Sequence, residues 1–301
     1  MQTNVKQVFY FNAAATSIGG FLENSYRNVP TPCSVALSSS GGAVTSQTKG
    51  FAFEDGLKES KGGIKATSAY TSVSGQPDRQ NGPWIQRAVS VVEGFSLLDR
   101  ITADLLVAQI FIEHPEIGGG PRRISFAGTK FVNLRVDNKP LLPESKPLGL
   151  TMDATLLPPD QADVDAYNQD AKVKPVLKWP DLTSYARTQG QERMLQKNLP
   201  DWGRDRFSWI ADTRKNANSG VEGYTLCSLV KKIDGVTSGQ TFAHCIDLPD
   251  VGRIFLAEVT IHPFAAHLTM LRAELGCSIS GHVSAAVIQS NGTTMPPNVD
   301  N

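Results

Sequence analysis

The segment RIFLAEVTIHPF, residues 253–264, places a carboxylate and an imidazole in an otherwise apolar run. A carboxylate that orients an imidazole can serve as a general acid–base pair, which requires contact at about 3 Å. Apolar alternation favours a β-strand, in which positions i and i+4 lie about 13 Å apart. We therefore expect Glu258 and His262 to share the polar face of a strand that ends at Pro263, without touching. The apolar core face should consist of Phe255, Ala257, Val259 and Ile261.

Folding could still bring distant groups together into a hydrolase site. The weak alternative is Glu258 or Glu274 acting with His262 or His282. We expect no metal or other cofactor, because Cys277 and His282 have finger-like spacing but the neighbouring cysteines and histidines do not. The sequence has neither a GxSxG nucleophile elbow nor a Walker phosphate loop. Catalytic residues are therefore not assigned.

Composition excludes few classes. The 301 residues carry 29 basic and 29 acidic side chains, and this balance disfavours nucleic-acid binding, which usually needs a basic excess. No apolar run approaches the ~20 residues of a membrane-spanning helix, and the first twenty residues lack the layout of a secretory signal. Four cysteines are too few for a disulfide scaffold, so we expect buried or free thiols.

The chain divides into three stretches by composition. Residues 1–150 are rich in Ser, Thr, Val and Gly with recurrent turn signals, and predict a first β-rich half. Residues 151–220 are polar and predict a partly helical insertion, with one helix near Asp160 and another from Thr183 to Leu199. Residues 221–301 predict a second β-rich half, in which Asn291-Gly292 indicates a hairpin turn. The halves could fold together as one domain. Two alternatives concern short segments: a helix over 97–109, and an amphipathic hairpin strand at 64–75.

A faint internal duplication links the two β-rich halves. LVAQIFIEHP (106–115) aligns with FLAEVTIHP (255–263) if Glu113 is treated as inserted. A second block, 128–143, aligns without a gap with 281–296, so that Asn138 matches Asn291. The pattern predicts a mainly β protein of two related halves, either sandwich-like or built from packed antiparallel sheets.

One segment is the first candidate for a binding surface. LPDWGRDRFSWI (199–210) concentrates aromatic and arginine side chains, the types most enriched at interface hot spots. The alternative is a segment that anchors its aromatic residues in the core. The candidate binding residues are Trp202, Arg204, Arg206, Phe207 and Trp209.

Two stretches of the first half, SLLDRITADLL (96–106) and GTKFVNLRVDNKPL (128–141), carry a family likeness. Through them the first half resembles the choice-of-anchor P type of bacterial surface protein. The likeness covers roughly residues 60–145, with a weaker echo after 250, and this chain departs from the family by its polar insertion. The resemblance implies an exported, extracellular or cell-surface protein without known enzymatic activity, and it supplies no catalytic residues. The residues that carry it are Ser96, Leu97, Leu98, Ile101, Thr102, Ala103 and Asp104, then Phe131, Asn133, Leu134 and Val136.

Together these observations favour a non-enzymatic, exported β-rich protein that binds, builds structure or targets a host through its surface. A glycan, a membrane or a protein surface are the expected kinds of partner, and self-assembly into a homo-oligomer is expected. The alternatives are the hydrolase above and a pore-forming toxin that inserts the 64–75 segment.

Overall fold

A computed structural model describes residues 8–23, 25–54, 62–77, 82–116, 119–144, 177–196, 199–205, 225–230, 232–262, 265–276 and 280–295. Helix α1 spans Trp179–Met194, and a short helical segment follows at 201–205. The strands, in chain order, are β1 (Val8–Leu22), β2 (Arg27–Val29), β3 (Ser34–Ala36), β4 (Gly42–Phe53), β5 (Ile64–Pro77), β6 (Trp84–Leu97), β7 (Ile101–His114), β8 (Arg123–Ser125), β9 (Lys130–Val132), β10 (Arg135–Val136), β11 (Lys139–Pro140), β12 (Leu142–Glu144), β13 (Leu177–Lys178), β14 (Thr225–Ser228), β15 (Lys232–Asp234), β16 (Gln240–Phe242), β17 (Cys245–Leu248), β18 (Gly252–Ile261), β19 (Ala265–Leu275) and β20 (Gly281–Met295).

The strands form two nine-stranded antiparallel sheets and one two-stranded ribbon of β12 and β15. Sheet I contains the meander β4-β5-β6-β7. The short strands β8, β9 and β10 each pair with a separate stretch of the second edge of β7. Sheet II contains β18-β19-β20-β1. The short strands β2 and β3 each pair with a separate stretch of the second edge of β1. The predicted fold class is confirmed: the protein is mainly β, with two antiparallel sheets of similar size and few helices.

The two sheets correspond to each other in a shifted chain order. Each is a meander of four long strands followed by short strands on the last edge, but the last long strand of sheet II is the N-terminal β1. β1 pairs with β20 over almost its whole length, from Val8 opposite Met295 to Leu22 opposite Gly281. The first and last parts of the chain are therefore joined in the centre of one sheet.

In both sheets, left-handed residues fall in one row that crosses the four long strands. In sheet II the row contains Ala257 and Ala286, with φ of 47° and 52°, in register with Met270 and Ser17. A left-handed residue inside a strand interrupts the regular pleat and changes which side chains face inwards, here without an extra residue in the pairing register. Two consecutive residues are buried at this row in β19 and β20, and the same holds in β1. The matching row of sheet I contains Gly50, Thr67, Gly94 and Asp104.

The sheets pack face to face, with β1 over β5 and β6 and with β20 over β6 and β7. One hydrophobic core contains buried residues of both sheets, such as Ile18, Phe95 and Ile288. Hydrogen bonds also cross between the sheets: for example, Ser90 Oγ donates to the Thr16 carbonyl at 2.9 Å, and Ser290 Oγ donates to Gln86 Oε1 at 2.7 Å. Complementary apolar faces, supplemented by these polar contacts, hold the sandwich together.

The second aligned block of the predicted duplication corresponds to different structures in the two halves. Residues 130–140 form short strands β9, β10 and β11, whereas residues 281–295 form the single long strand β20. The first block does fall on strands, β7 and β18, yet these occupy opposite ends of the corresponding meanders. When the two sheets are compared strand by strand, β18 corresponds to β4 and not to β7, because β4 and β18 are each the first long strand of a meander. Short strand sequences align by chance because they share only alternation and turn residues.

Three local elements differ from what the sequence predicts. The Asn291-Gly292 turn is wrong: both residues lie inside β20 and pair with Asn12 and Phe11. The helix considered over 97–109 is also wrong, since these residues mostly belong to β7. The helix expected from 183 to 199 exists but runs from Trp179 to Met194, and the one expected near Asp160 lies outside the described residues.

The segment proposed for membrane insertion is an inner strand of sheet I. β5 pairs with β4 along one edge and with β6 along the other. Its inward side chains, such as Ile64, Ala66 and Val73, are buried in the core. None of the described helices has the length and apolar character needed to cross a membrane.

Candidate functional site

The kink at Ala257 determines which side chains reach the outer face of sheet II. Leu256 and Ala257 both point into the main core, so Phe255 and Glu258 emerge on the outer side. The expectation that Phe255 shares a face with Ala257 is therefore wrong, because the left-handed residue breaks the alternation. In the strand register, Phe255 lies opposite Arg272, and Glu274 lies between Arg253 and His282. We call these six residues, with Trp202 and His244, the polar face: Trp202, His244, Arg253, Phe255, Glu258, Arg272, Glu274 and His282.

Glu258 lies at the centre of a buried charge network. His244 Nε2 is 3.1 Å from its Oε1, and Arg272 Nε donates to its Oε2 at 2.9 Å. Arg272 also donates through Nη1 to Glu274, so one guanidinium joins two carboxylates. The Glu258 side chain is 5% exposed and that of His244 is fully buried, whereas Arg272 and Glu274 reach the surface.

The charges in this network stabilise one another in their buried positions. Burial alone lowers the pKa of Arg272, but the charges and hydrogen bonds of Glu258 and Glu274 outweigh it and raise that pKa above its ordinary value. Removing one partner of such a buried pair leaves an uncompensated charge and typically costs about 3–5 kcal/mol. Glu258 is thus tied into the fold as an anchor between β18, β19 and the turn before β17.

Aromatic rings cover one end of the polar face. The guanidinium of Arg272 lies 4.2 Å from the centre of the Phe255 ring, and that of Arg253 lies 4.7 Å from the centre of the Trp202 ring. Trp202 and Phe255 meet edge to face at 6.4 Å. Such cation–π contacts help to hold arginine side chains in position. A second small core of Leu199, Phe242, Cys245 and Phe255 fixes this end of the sheet beneath residues 199–205.

A cleft of about 250 Å³ opens beside this second core, between α1 and the β15–β16 region. Gln189 of α1 fixes one wall: its Nε2 donates to the Ser228 carbonyl and its Oε1 accepts from the Ser228 amide, both at 2.8 Å. Arg193, in the last turn of α1, is buried and donates to the Val230 carbonyl at 3.4 Å. The lining residues are Gln189, Glu192, Arg193, Gln196, Lys232, Ile233, Thr241, Phe242 and Ala243.

The acidic and histidine residues proposed from the sequence lie in different parts of sheet II. Glu258 contacts His244 and Arg272, whereas the His262 ring lies 5.1 Å from His267 at the far end of the face. Burial lowers the pKa of His262, and burial together with the charge of His262 lowers that of His267. His282 is exposed and opposite Glu274.

The proposed binding segment is described in part. Trp202 is half-buried, and Arg204 is exposed with its Nη2 4.0 Å from Asp201 Oδ1. Arg206, Phe207 and Trp209 lie outside the described residues, as does Cys277. Within the parts of the chain that are described, no group of three or more metal-ligating side chains converges. Sequence reasoning missed His244, Arg253 and Arg272, because only strand pairing brings them to Glu258 and Trp202.

Residues 9–262 match a family model described as a domain of unknown function, DUF8256. The chain belongs to the DUF8256 family. No curated protein and no solved structure matches it.

The folded unit of this DUF8256 protein extends past the matched residues. The match ends just after β18, yet β19 and β20 fill the space between β18 and β1 in sheet II. Arg272, Glu274 and His282 of the polar face lie in that additional part. The charge network of the DUF8256 chain therefore joins residues inside and outside the matched range.

Proposed function

We propose that the protein is a non-enzymatic binding protein that acts through the polar face of sheet II. The observation that carries this proposal is the position of Arg272, which bonds to both Glu258 and Glu274. Hydrolysis of a glycoside needs two carboxylates with a substrate bond or a water molecule between them. A guanidinium occupies that space here. The geometry therefore supports binding better than a hydrolase built on these residues.

The part offered to a partner is the edge formed by Trp202 and Arg253 of the polar face together with Arg204, two residues after Trp202. The Arg204 side chain is 62% exposed, and Arg253 forms no ion pair with any residue that the structure describes. Trp and Arg are the residues most enriched at protein–protein hot spots, so we favour a protein partner over a glycan or a membrane. The two guanidinium groups call for acidic side chains on that partner.

Export is also part of the proposal, and its support is the resemblance to choice-of-anchor P proteins. That family implies a role at the cell surface, where a rigid β-sandwich presenting a binding edge is a common arrangement. A protein partner met outside the cell fits both elements of the proposal.

Binding can be tested with a defined acidic polypeptide, a fluorescein-labelled poly-glutamate peptide, by fluorescence anisotropy at low salt. We expect saturable binding that weakens at least tenfold in the Arg253→Ala variant and falls with added salt. The matched control is Arg27→Ala, which removes an exposed arginine from β2, far from this edge in the strand order. Equal losses in both variants would mean that general charge, and not this edge, is responsible.

The non-enzymatic part has its own test. Incubation with nitrophenyl glycosides and nitrophenyl esters should release no nitrophenol above the buffer rate. Release that disappears in the Glu274→Gln variant would contradict the proposal and support the hydrolase alternative. Glu274 suits this test because it is the more exposed of the two carboxylates, at 38% against 5%.

A further inference from the structure

The outermost strand of sheet I has an open edge. β4 pairs with β5 along one side, and no strand among the described residues pairs with its other side. Most of β4 is exposed, including the residues from Gly42 to Thr45 on both of its faces. Val44 is 40% exposed, although it points towards the partner sheet. Its backbone N–H and C=O groups along this edge are therefore available to another strand.

The corresponding edge of sheet II is covered. β18 is the first strand of its meander, as β4 is of the other, and β14 and β17 pair with its second edge in antiparallel orientation. The same position in two similar sheets is thus filled by strands of the chain itself in one case and left open in the other. This comparison indicates that an antiparallel strand is the kind of occupant that fits.

The open edge carries few of the devices that usually prevent strands from pairing. Natural edges are protected by charges, prolines, bulges or short length. From Gly42 to Lys49, β4 offers eight consecutive residues with no proline and with Lys49 as its single charge. Two left-handed glycines bound this stretch: Gly42 at its start, with φ of 107°, and Gly50 just beyond its end, with φ of 73°. The residues between them are nearly neutral and numerous enough to pair with another strand.

We propose that β4 pairs with β4 of a second copy, antiparallel and centred on Ser46. A two-fold axis through that residue places Thr45 opposite Gln47 and Lys49 opposite Ala43 of the other copy. The two Lys49 side chains then lie six residues, or about 20 Å, apart, which is beyond the screening length at physiological salt. The edge is therefore complementary to itself, and a second copy satisfies its backbone without charge repulsion.

The contact is small compared with permanent interfaces. Eight paired residues on each side fall below the roughly 1,600 Å² of a standard interface, and small interfaces of this kind are weak. We therefore expect a reversible dimer with a dissociation constant in the micromolar range, and not a permanent oligomer. This surface is separate from the polar face, so the dimer does not depend on the proposed function.

The experiment is sedimentation velocity on the full chain over about 1–200 µM. The wild type should change from monomer to dimer over this range. The double variant T45K/Q47K places like charges directly across the pairing and should remain monomeric, since like charges opposite each other on paired strands are destabilising. The matched variant T45E/Q47K places an introduced carboxylate opposite each introduced ammonium and should dimerise at least as well as the wild type.

Both substitutions are at exposed positions, so thermal unfolding midpoints should stay within a few degrees of the wild type. The proposal is overturned if the wild type stays monomeric up to 200 µM. It is also overturned if T45K/Q47K dimerises like the wild type, or if T45E/Q47K loses the dimer. Arg253→Ala should leave the dimer intact, and its loss in that variant would place the interface on sheet II instead.

Discussion

Lowering the pH from 7.5 to 5 should destabilise the fold through one buried imidazole, that of His114 at the end of β7. The side chain is 5% exposed, and its ring lies 4.7 Å from the ring of Phe9. Its Nε2 has no hydrogen-bond partner among the described residues. Burial, aided by the charge of Arg122, lowers the pKa of His114 from 6.5 to about 3. The native state therefore holds this imidazole neutral.

The magnitude follows from proton linkage. Between the folded pKa of about 3 and the unfolded pKa of about 6.5, the unfolded chain binds more protons at this site than the native state. The free energy of unfolding therefore decreases as the pH falls through this window. The contribution of His114 is negligible at pH 7.5, is a loss of about 2 kcal/mol at pH 5, and approaches 4–5 kcal/mol, to order of magnitude, near pH 3.

Urea unfolding followed by tryptophan fluorescence at pH 7.5, 6.5, 5.5 and 5 measures this loss. The comparison variant is His114→Phe, which keeps an aromatic ring beside Phe9 and Trp84 but cannot accept a proton. Other groups titrate in both proteins and cancel in the difference. The wild type should lose about 2 kcal/mol relative to His114→Phe between pH 7.5 and 5. A control, His282→Gln at an exposed site, should keep the wild-type dependence. Parallel curves for the wild type and His114→Phe would refute the reasoning.

Three further predictions concern sheet II. Glu258→Gln should lower the free energy of unfolding by about 3–5 kcal/mol in urea titrations, because it removes one charge of a buried pair. The more exposed Glu274→Gln should lower it by about 1 kcal/mol or less, and equal losses in the two variants would contradict the buried network. Ala257→Val should destabilise by at least 1–2 kcal/mol, roughly, because a β-branched residue is strained at φ of 47°, whereas Ala257→Gly should be tolerated better in the same titrations. Burial raises the pKa of Cys227 to about 12, so this thiol should not react with iodoacetamide at pH 8 until denaturant is added. Mass spectrometry of the Cys227 peptide measures the modification, and modification in the native protein would contradict this.

Sequence reasoning identified the elements better than their arrangement. The apolar alternation of RIFLAEVTI predicted a strand, and β18 covers it from Gly252 to Ile261. The orientation of Phe255 was missed, because alanine gives no sign that residue 257 adopts a left-handed conformation. The partners of Glu258, His244 and Arg272, are each fourteen residues away. Only the pairing of β17, β18 and β19 places them together, and this register is not encoded in local spacing.

The position of β1 was also beyond local reasoning. Val8–Leu22 lies in the stretch that the sequence predicts to be β-rich, but nothing within it shows that its neighbour is β20, more than 250 residues later. Long-range pairing is decided by the fit of whole faces against the core, and it adds the N-terminal strand to the sheet of the C-terminal half.

The shifted correspondence separates what the two sheets share from what distinguishes them. They share four long strands, a crossing row of kinks and short strands on the last edge. They differ at the first strand: β14 and β17 pair with the second edge of β18, and α1 and the residues around Trp202 pack beside them, near the buried charges of Glu258 and Arg272. No strand among the described residues pairs with the second edge of β4, which stays open. The buried charge network and the open edge therefore lie at the same position, the first long strand, of two similar sheets.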